Sequence, residues 1–231
     1  MHAVIGFAVG VVLAVAAGGL AASASGYVAG RGQPLPVAVT IADVTGLWVG
    51  LVGAAVLASR SGGSGSLIRD FGLRIAGWWD IAGGVLVGLL SQYLLIPLLY
   101  LPFTLSDPHL AHRLSQPAQQ DTAGAHGALT VVVLFAFLAI GAPVVEELFF
   151  RGLLLRALLG KSHGRRWGPA AAIVVSGLLF ALAHFEALQF GGLAAFGVVL
   201  GILSWRTGRL GPGIAAHAAF NAAAVVTLFS K

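Results

Sequence analysis

Residues 128–159 read ALTVVVLFAFLAIGAPVVEELFFRGLLLRALL. No charge interrupts the run from Ala128 to Val145, and a helix needs about 20 mostly apolar residues to cross a hydrocarbon core about 30 Å thick. Nothing from Leu148 to Leu159 except Gly152 opposes continuation of that helix. A barrel strand would alternate apolar and polar residues over about 10 positions, whereas this stretch is apolar all round. It reads as a membrane-spanning helix that carries two adjacent acids, Glu146 and Glu147, late in the span.

Six further apolar runs, at about 3–24, 37–59, 81–103, 169–186, 190–205 and 212–229, are separated by charged or Gly- and Pro-rich breaks. Composition agrees with a chain that lives in lipid. Of 231 residues, 58% are hydrophobic and 9% charged, against roughly 25% charged in a soluble domain, and mean hydropathy is +0.94. The expected fold is all-α, a polytopic transmembrane bundle of about seven spans forming one membrane-embedded domain. Within it, 1–127 form an N-terminal three-helix region with an outer loop, and 128–231 form the helical core that carries the chemistry. The sequence holds no Cys, which removes disulfides, thiolate metal sites and cysteine nucleophiles.

A pI near 10.5 invites a nucleic-acid partner, but that reading needs cations clustered on a solvated face. The second, fourth and sixth connections hold 10 of the 13 Lys and Arg, while Arg31, Arg113 and Lys231 fall on the other side. The positive-inside rule accounts for this distribution, so the expectation is an integral protein of the plasma or inner membrane with its N-terminus in the cytoplasm and no nucleic-acid partner. Ala22-Ser23-Ala24 resembles a signal-peptide cleavage site, yet the preceding segment holds no Lys or Arg and its apolar run is long. A retained first helix is the preferred reading. Ser61 to Ser66 is a Gly/Ser linker, the mixed stretch from Leu67 to Trp79 suits an interfacial helix, and Trp78 and Trp79 stand where an aromatic belt belongs. Small-residue pairs at Gly6/Gly10, Gly46/Gly50, Gly84/Gly88 and Gly197/Gly201 point to close helix packing.

Each ionisable group in hydrocarbon costs roughly 2.5 to 3.5 kcal/mol, so those present need a reason. Glu147 and Arg151 are four apart and share a helix face, which predicts an ion pair, while Glu146 lies about 100° round the helix and points elsewhere. His184 stands alone in the next span, and His217 and Asn221 share a face of the last. Three helices that each bring a polar group avoid lipid by turning those groups to the bundle interior, where they converge. A carboxylate with imidazoles suits water activation, and His and Asn donors suit an oxyanion hole. Glu146, His184 and His217 could also fill three positions around zinc or another divalent ion. No His-Glu-x-x-His pair is present and Asn221 is a poor zinc ligand, so a metal-free mechanism with no cofactor is preferred.

Glu146-Glu147-x-x-x-Arg151, Phe180-x-x-x-His184 and His217-x-x-x-Asn221, in that order on successive apolar runs, resemble the three motifs of the CPBP family. These are the CAAX prenyl endopeptidases and bacteriocin-processing proteins, also called the Abi family. Phe150-Arg151-Gly152 and Arg206-Thr207-Gly208 add to the likeness, which covers about 128–225. The resemblance implies an intramembrane endopeptidase acting in the bilayer on a membrane-anchored or prenylated peptide or protein. It implies Glu146 as the water-activating base with His184 as its partner, His217 and Asn221 binding water, metal or the oxyanion, and Glu147, Arg151 and Phe180 in support. A proton-coupled transporter and a non-catalytic immunity or binding scaffold are the rival readings.

Depth strains this picture. At 1.5 Å per residue, Glu146 lies ~20 Å and His184 ~23 Å from the inner helix ends, but His217 only ~8 Å. Convergence then requires tilt, or a last helix that begins inside the membrane, as Gly211-Pro212-Gly213 would permit. Asp43 in the second span is left between an interfacial place and a contact with the site. His109, His112 and His126 read as residues of a solvated outer loop, and Glu186 as a structural residue at the outer interface.

Overall fold

The computed structural model describes residues 1–30, 33–125 and 127–229, which are helices joined by short connections with no strand among them. Arg31, His126 and Lys231 lie outside the described residues. The helices are α1 (His2–Ser25), α2 (Val37–Gly62), α3 (Leu67–Phe71), α4 (Trp78–Ser106), α5 (Leu110–Thr122), α6 (Ala128–Lys161), α7 (Gly168–Leu182), α8 (Phe190–Thr207) and α9 (Gly211–Phe229). Among the described residues five of them, α1, α2, α4, α6 and α8, are long and apolar enough to cross a membrane, and the chain is an integral membrane protein.

One of the seven expected spans is shorter than expected. α7 has 15 residues, about 22 Å at 1.5 Å per residue, which falls short of the hydrocarbon thickness. It ends at Leu182, before the expected limit at 186, because the chain turns over 183–185 and Phe185 takes a left-handed φ of 56°. α9 is a central helix, with every residue from Gly211 to Val225 buried or half-buried. The outer loop also departs from expectation. It contains α5, whose Leu110 and Thr122 are buried and whose Leu114 is half-buried. Pro117 inside that helix is the residue that makes its sequence read as a loop.

The small-residue pairs set the packing. A Cβ on Gly6 would collide with Ala54, one on Gly10 would stand 2.9 Å from the Leu47 carbonyl, and one on Gly46 would stand 2.6 Å from the Leu13 backbone. α1 and α2 therefore cross in backbone contact, as expected of small residues between membrane helices. Gly84 and Gly88 bring α4 equally close to Pro212 and Ala216 of α9, and Gly177 and Gly197 do the same for α7 and α8.

The strain in depth is resolved at the end of the bundle where the basic connections meet. The Leu210 N–H donates to the Gly72 carbonyl at 2.8 Å and the Gly211 N–H to the Arg74 carbonyl at 3.2 Å. The side chain of Leu210 is fully buried and faces Gly152 together with Phe71. α9 thus begins level with Gly152 of α6, nine residues before that helix ends at Lys161. That offset is about 14 Å, and it lifts His217 to the level of the acids. The connection that supports it is held by Asp70, whose carboxylate accepts from Ser59 Oγ, the Ser64 N–H at 3.0 Å and Ser64 Oγ at 2.7 Å. These hydrogen bonds, the Ser59 bond first among them, hold the Asp70 carboxyl down at about 2.

Candidate active site

α6 places Glu146 and Glu147 one turn before Arg151, and the two acids meet different surroundings. Glu147 and Arg151 have no exposed side-chain surface, whereas the Glu146 side chain is 17% exposed. Arg151 Nη1 donates to Glu147 Oε1 at 2.8 Å, and its Nη2 donates to the Gly197 carbonyl on α8 at 3.0 Å. Its guanidinium carbon also lies 4.4 Å from the centre of the Phe180 ring, a favourable place for a cation in a dry site. The ion pair expected from spacing is therefore present, and it carries two supports that spacing does not show.

His217, from α9, stands between the acids. Its Nδ1 is 3.2 Å from Glu147 Oε1 and its Nε2 is 3.7 Å from Glu146 Oε2. A carboxylate only accepts, so a proton on Nδ1 points to Glu147, and Nε2 faces Glu146. Phe180 and Phe196 hold the imidazole edge-on, with ring centroids 5.5 and 5.6 Å away. Both phenyl rings are fully buried, so the faces of His217 are dry and its two nitrogens point at oxygen. Glu146 Oε2 is buried without a hydrogen-bond partner. A buried acceptor left in this way is costly, and here it points to a group supplied by water or substrate.

His184 lies in the turn after α7 rather than within a helix. Its Nδ1 donates to the Phe180 carbonyl at 2.8 Å, and its ring packs against Phe180 at 4.7 Å. Phe180 therefore touches both imidazoles and the guanidinium. His184 makes no hydrogen bond or ion pair to either glutamate among the described residues; His217 is the imidazole that flanks Glu146. Asn221, one turn beyond His217, donates through Nδ2 to the Leu138 carbonyl at 2.9 Å. That carbonyl lies in a π-helical stretch of α6 over Ala136–Gly141, where the wide turn changes the backbone pairing. A second such stretch, Leu148–Leu155, has its Phe150 carbonyl accepting from Ser176 Oγ.

Sequence reasoning missed Phe196, Ser176, the Gly197 carbonyl and Gly213, where a Cβ would stand 3.0 Å from Glu147 Oε2. Gly197 carried a signal as half of a small-residue pair, and Gly213 as part of Gly-Pro-Gly. A buried Phe or Ser in an apolar run carries none. Asp43 is half-buried against Gly18 of α1, apart from this cluster. Among the described residues no group of three or more His, Asp or Glu is disposed to hold a metal ion. An apolar cavity of about 780 Å³ runs between α1, α6 and the end of α7, from Phe7, Phe149 and Phe150 to Phe185 and Glu186. It begins one turn from the acids.

No curated protein and no solved structure matches the chain. A family model does, over residues 128–223: type II CAAX prenyl endopeptidase, Rce1-like. Those residues contain every member of the cluster, from Leu138 to Asn221. Over residues 128–223, which hold Glu146, Glu147, the buried Arg151, His184, His217 and Asn221, the chain is similar to the Rce1-like family of type II CAAX prenyl endopeptidases.

Proposed function

We propose that this chain is an intramembrane endopeptidase that hydrolyses a peptide bond of a prenylated, membrane-anchored substrate with water activated by Glu146 and His217. The observation that carries the reading is the chain of contacts Arg151–Glu147–His217–Glu146, which ends on an unpartnered carboxylate oxygen. A water between Glu146 Oε2 and His217 Nε2 can give one hydrogen to each, and its lone pairs then face the substrate. Glu146 takes the proton as the water oxygen bonds to the scissile carbonyl carbon, and the carbonyl becomes a tetrahedral oxyanion. When the C–N bond breaks, Glu146 returns the proton to the leaving amine. Glu147, fixed by Arg151, sets the tautomer and direction of His217. The second N–H of Asn221 and the ring of His184 are the groups proposed to steady the oxyanion.

The apolar cavity beside Phe149 and Phe150 supports a substrate that carries a long hydrocarbon group. The distribution of basic residues supports a cytoplasmic N-terminus in the plasma or inner membrane. Purified protein in detergent, incubated with a farnesylated peptide ending in Cys-aliphatic-aliphatic-X, should release the three-residue tail, as identified by mass spectrometry. Intact peptide after prolonged incubation with folded protein would contradict the proposal.

A further inference from the structure

At the end of the bundle where α2, α6 and α8 finish, the last turns of these helices and the connections that follow them carry most of the chain's Lys and Arg. Asp70 and Asp80 are the acids at this end, and both are committed. Asp70 is held by Ser59 and Ser64, while Asp80 is bound by Arg209 through two hydrogen bonds of 2.7 and 2.6 Å and caps the Ala76 N–H. Arg69, Arg74, Lys161, Arg165, Arg166 and Arg206 are exposed, and no acid on this face is free to neutralise them. Arg156 reaches across to the Gly208 carbonyl at 2.8 Å.

Apolar side chains are exposed among these cations. Trp78, Trp79, Trp167 and Trp205 all lie at this end, with Ile68 and Ile75 beside them. Arg166 stacks over Trp167 at 5.2 Å and Arg206 over Trp205 at 5.3 Å. Indoles at this level mark the headgroup zone, so the guanidiniums are held at phosphate depth. From charge complementarity, we propose that this face is a binding surface for anionic phospholipid headgroups. Each cation so placed strengthens attraction to an anionic membrane by about 5-fold.

The test needs no cleavage, so it stands or falls apart from the protease reading. Full-length chain is reconstituted in phosphatidylcholine vesicles with a trace of spin-labelled phosphatidylglycerol or spin-labelled phosphatidylcholine, and the motionally restricted fraction is compared. The expected result is a preference for phosphatidylglycerol of about 5-fold or more that collapses at high salt. The combined variant Arg69→Gln, Arg74→Gln, Arg165→Gln, Arg166→Gln should lose most of it, and Arg113→Gln at the opposite end should keep it. Equal retention of the two lipids by the unaltered chain, or a preference insensitive to salt, would overturn the proposal without any variant. Full preference in the combined variant would overturn its assignment to this face. Capture of a soluble polyglutamate peptide without any lipid preference would show an acidic protein partner instead.

Discussion

Glu146 and Glu147 are neighbours in sequence and opposites in circumstance. Glu147 is fully enclosed and bonded through Oε1 to Arg151 and His217; Glu146 keeps some exposure and faces His217 Nε2 at 3.7 Å. Breaking a buried ion pair by removing one partner leaves an uncompensated charge and costs about 3–5 kcal/mol. Glu147→Gln should accordingly lower the thermal midpoint and the folded yield; a variant as stable as the parent would show that Arg151 does not depend on it. Because no residue triad among the described residues is disposed to hold a metal, turnover should survive exhaustive chelation with modest loss. Stoichiometric zinc in active protein, with activity lost on its removal and regained on its return, would show the opposite. The ion pair and the separate direction of Glu146 were legible in the sequence, since i, i+4 spacing on a helix is geometry. The clamp of Phe180 and Phe196 on His217 was not, because those contacts join three helices whose rotation no spacing reveals.

At the scale of elements, the site exists because α9 starts late and lies close to α4. A Cβ on Gly88 would fall into the Ala216 carbonyl, next to His217. Gly88→Val should therefore push α9 aside, lowering stability by about 1–3 kcal/mol and lowering turnover further than stability alone explains; an active variant of normal stability would refute the close approach. The loop from Ser59 to Asp70 that supports the start of α9 has its own pH dependence. The folded Asp70 carboxyl is held at about 2, below its ordinary 3.8, so its contribution is complete above the ordinary value and is lost as pH falls through the folded one. Exchange protection of residues 61–66, corrected for intrinsic rates, should hold from pH 7 to about pH 4 and fall below that. Asp70→Asn should remove it already at neutral pH, and unchanged protection in that variant would rule out the anchor. The sequence permitted a late start through Gly211-Pro212-Gly213, but only the pairing of Leu210 with Gly72 shows where α9 begins. α5 escaped notice because Pro117 masked a helical pattern.

For the whole molecule, composition alone was enough to place the chain in a membrane, since 9% charged residues cannot coat a soluble surface. The number of spans was harder to read, because a short helix such as α7 has the same apolar sequence as a lipid-facing span. The proposed orientation predicts that a reporter fused after Arg165 stays cytoplasmic and one fused after Ala125 is exported; export of the first would invert the topology. Glu146 is the one carboxylate proposed to turn this bundle into a hydrolase. Its most direct test is the turnover of a farnesylated, membrane-anchored peptide by purified Glu146→Gln protein and by the parent chain, compared at matched thermal midpoints. Glu146→Gln should release no tripeptide above background while the parent chain does, and release by the variant at the parental rate would contradict the account.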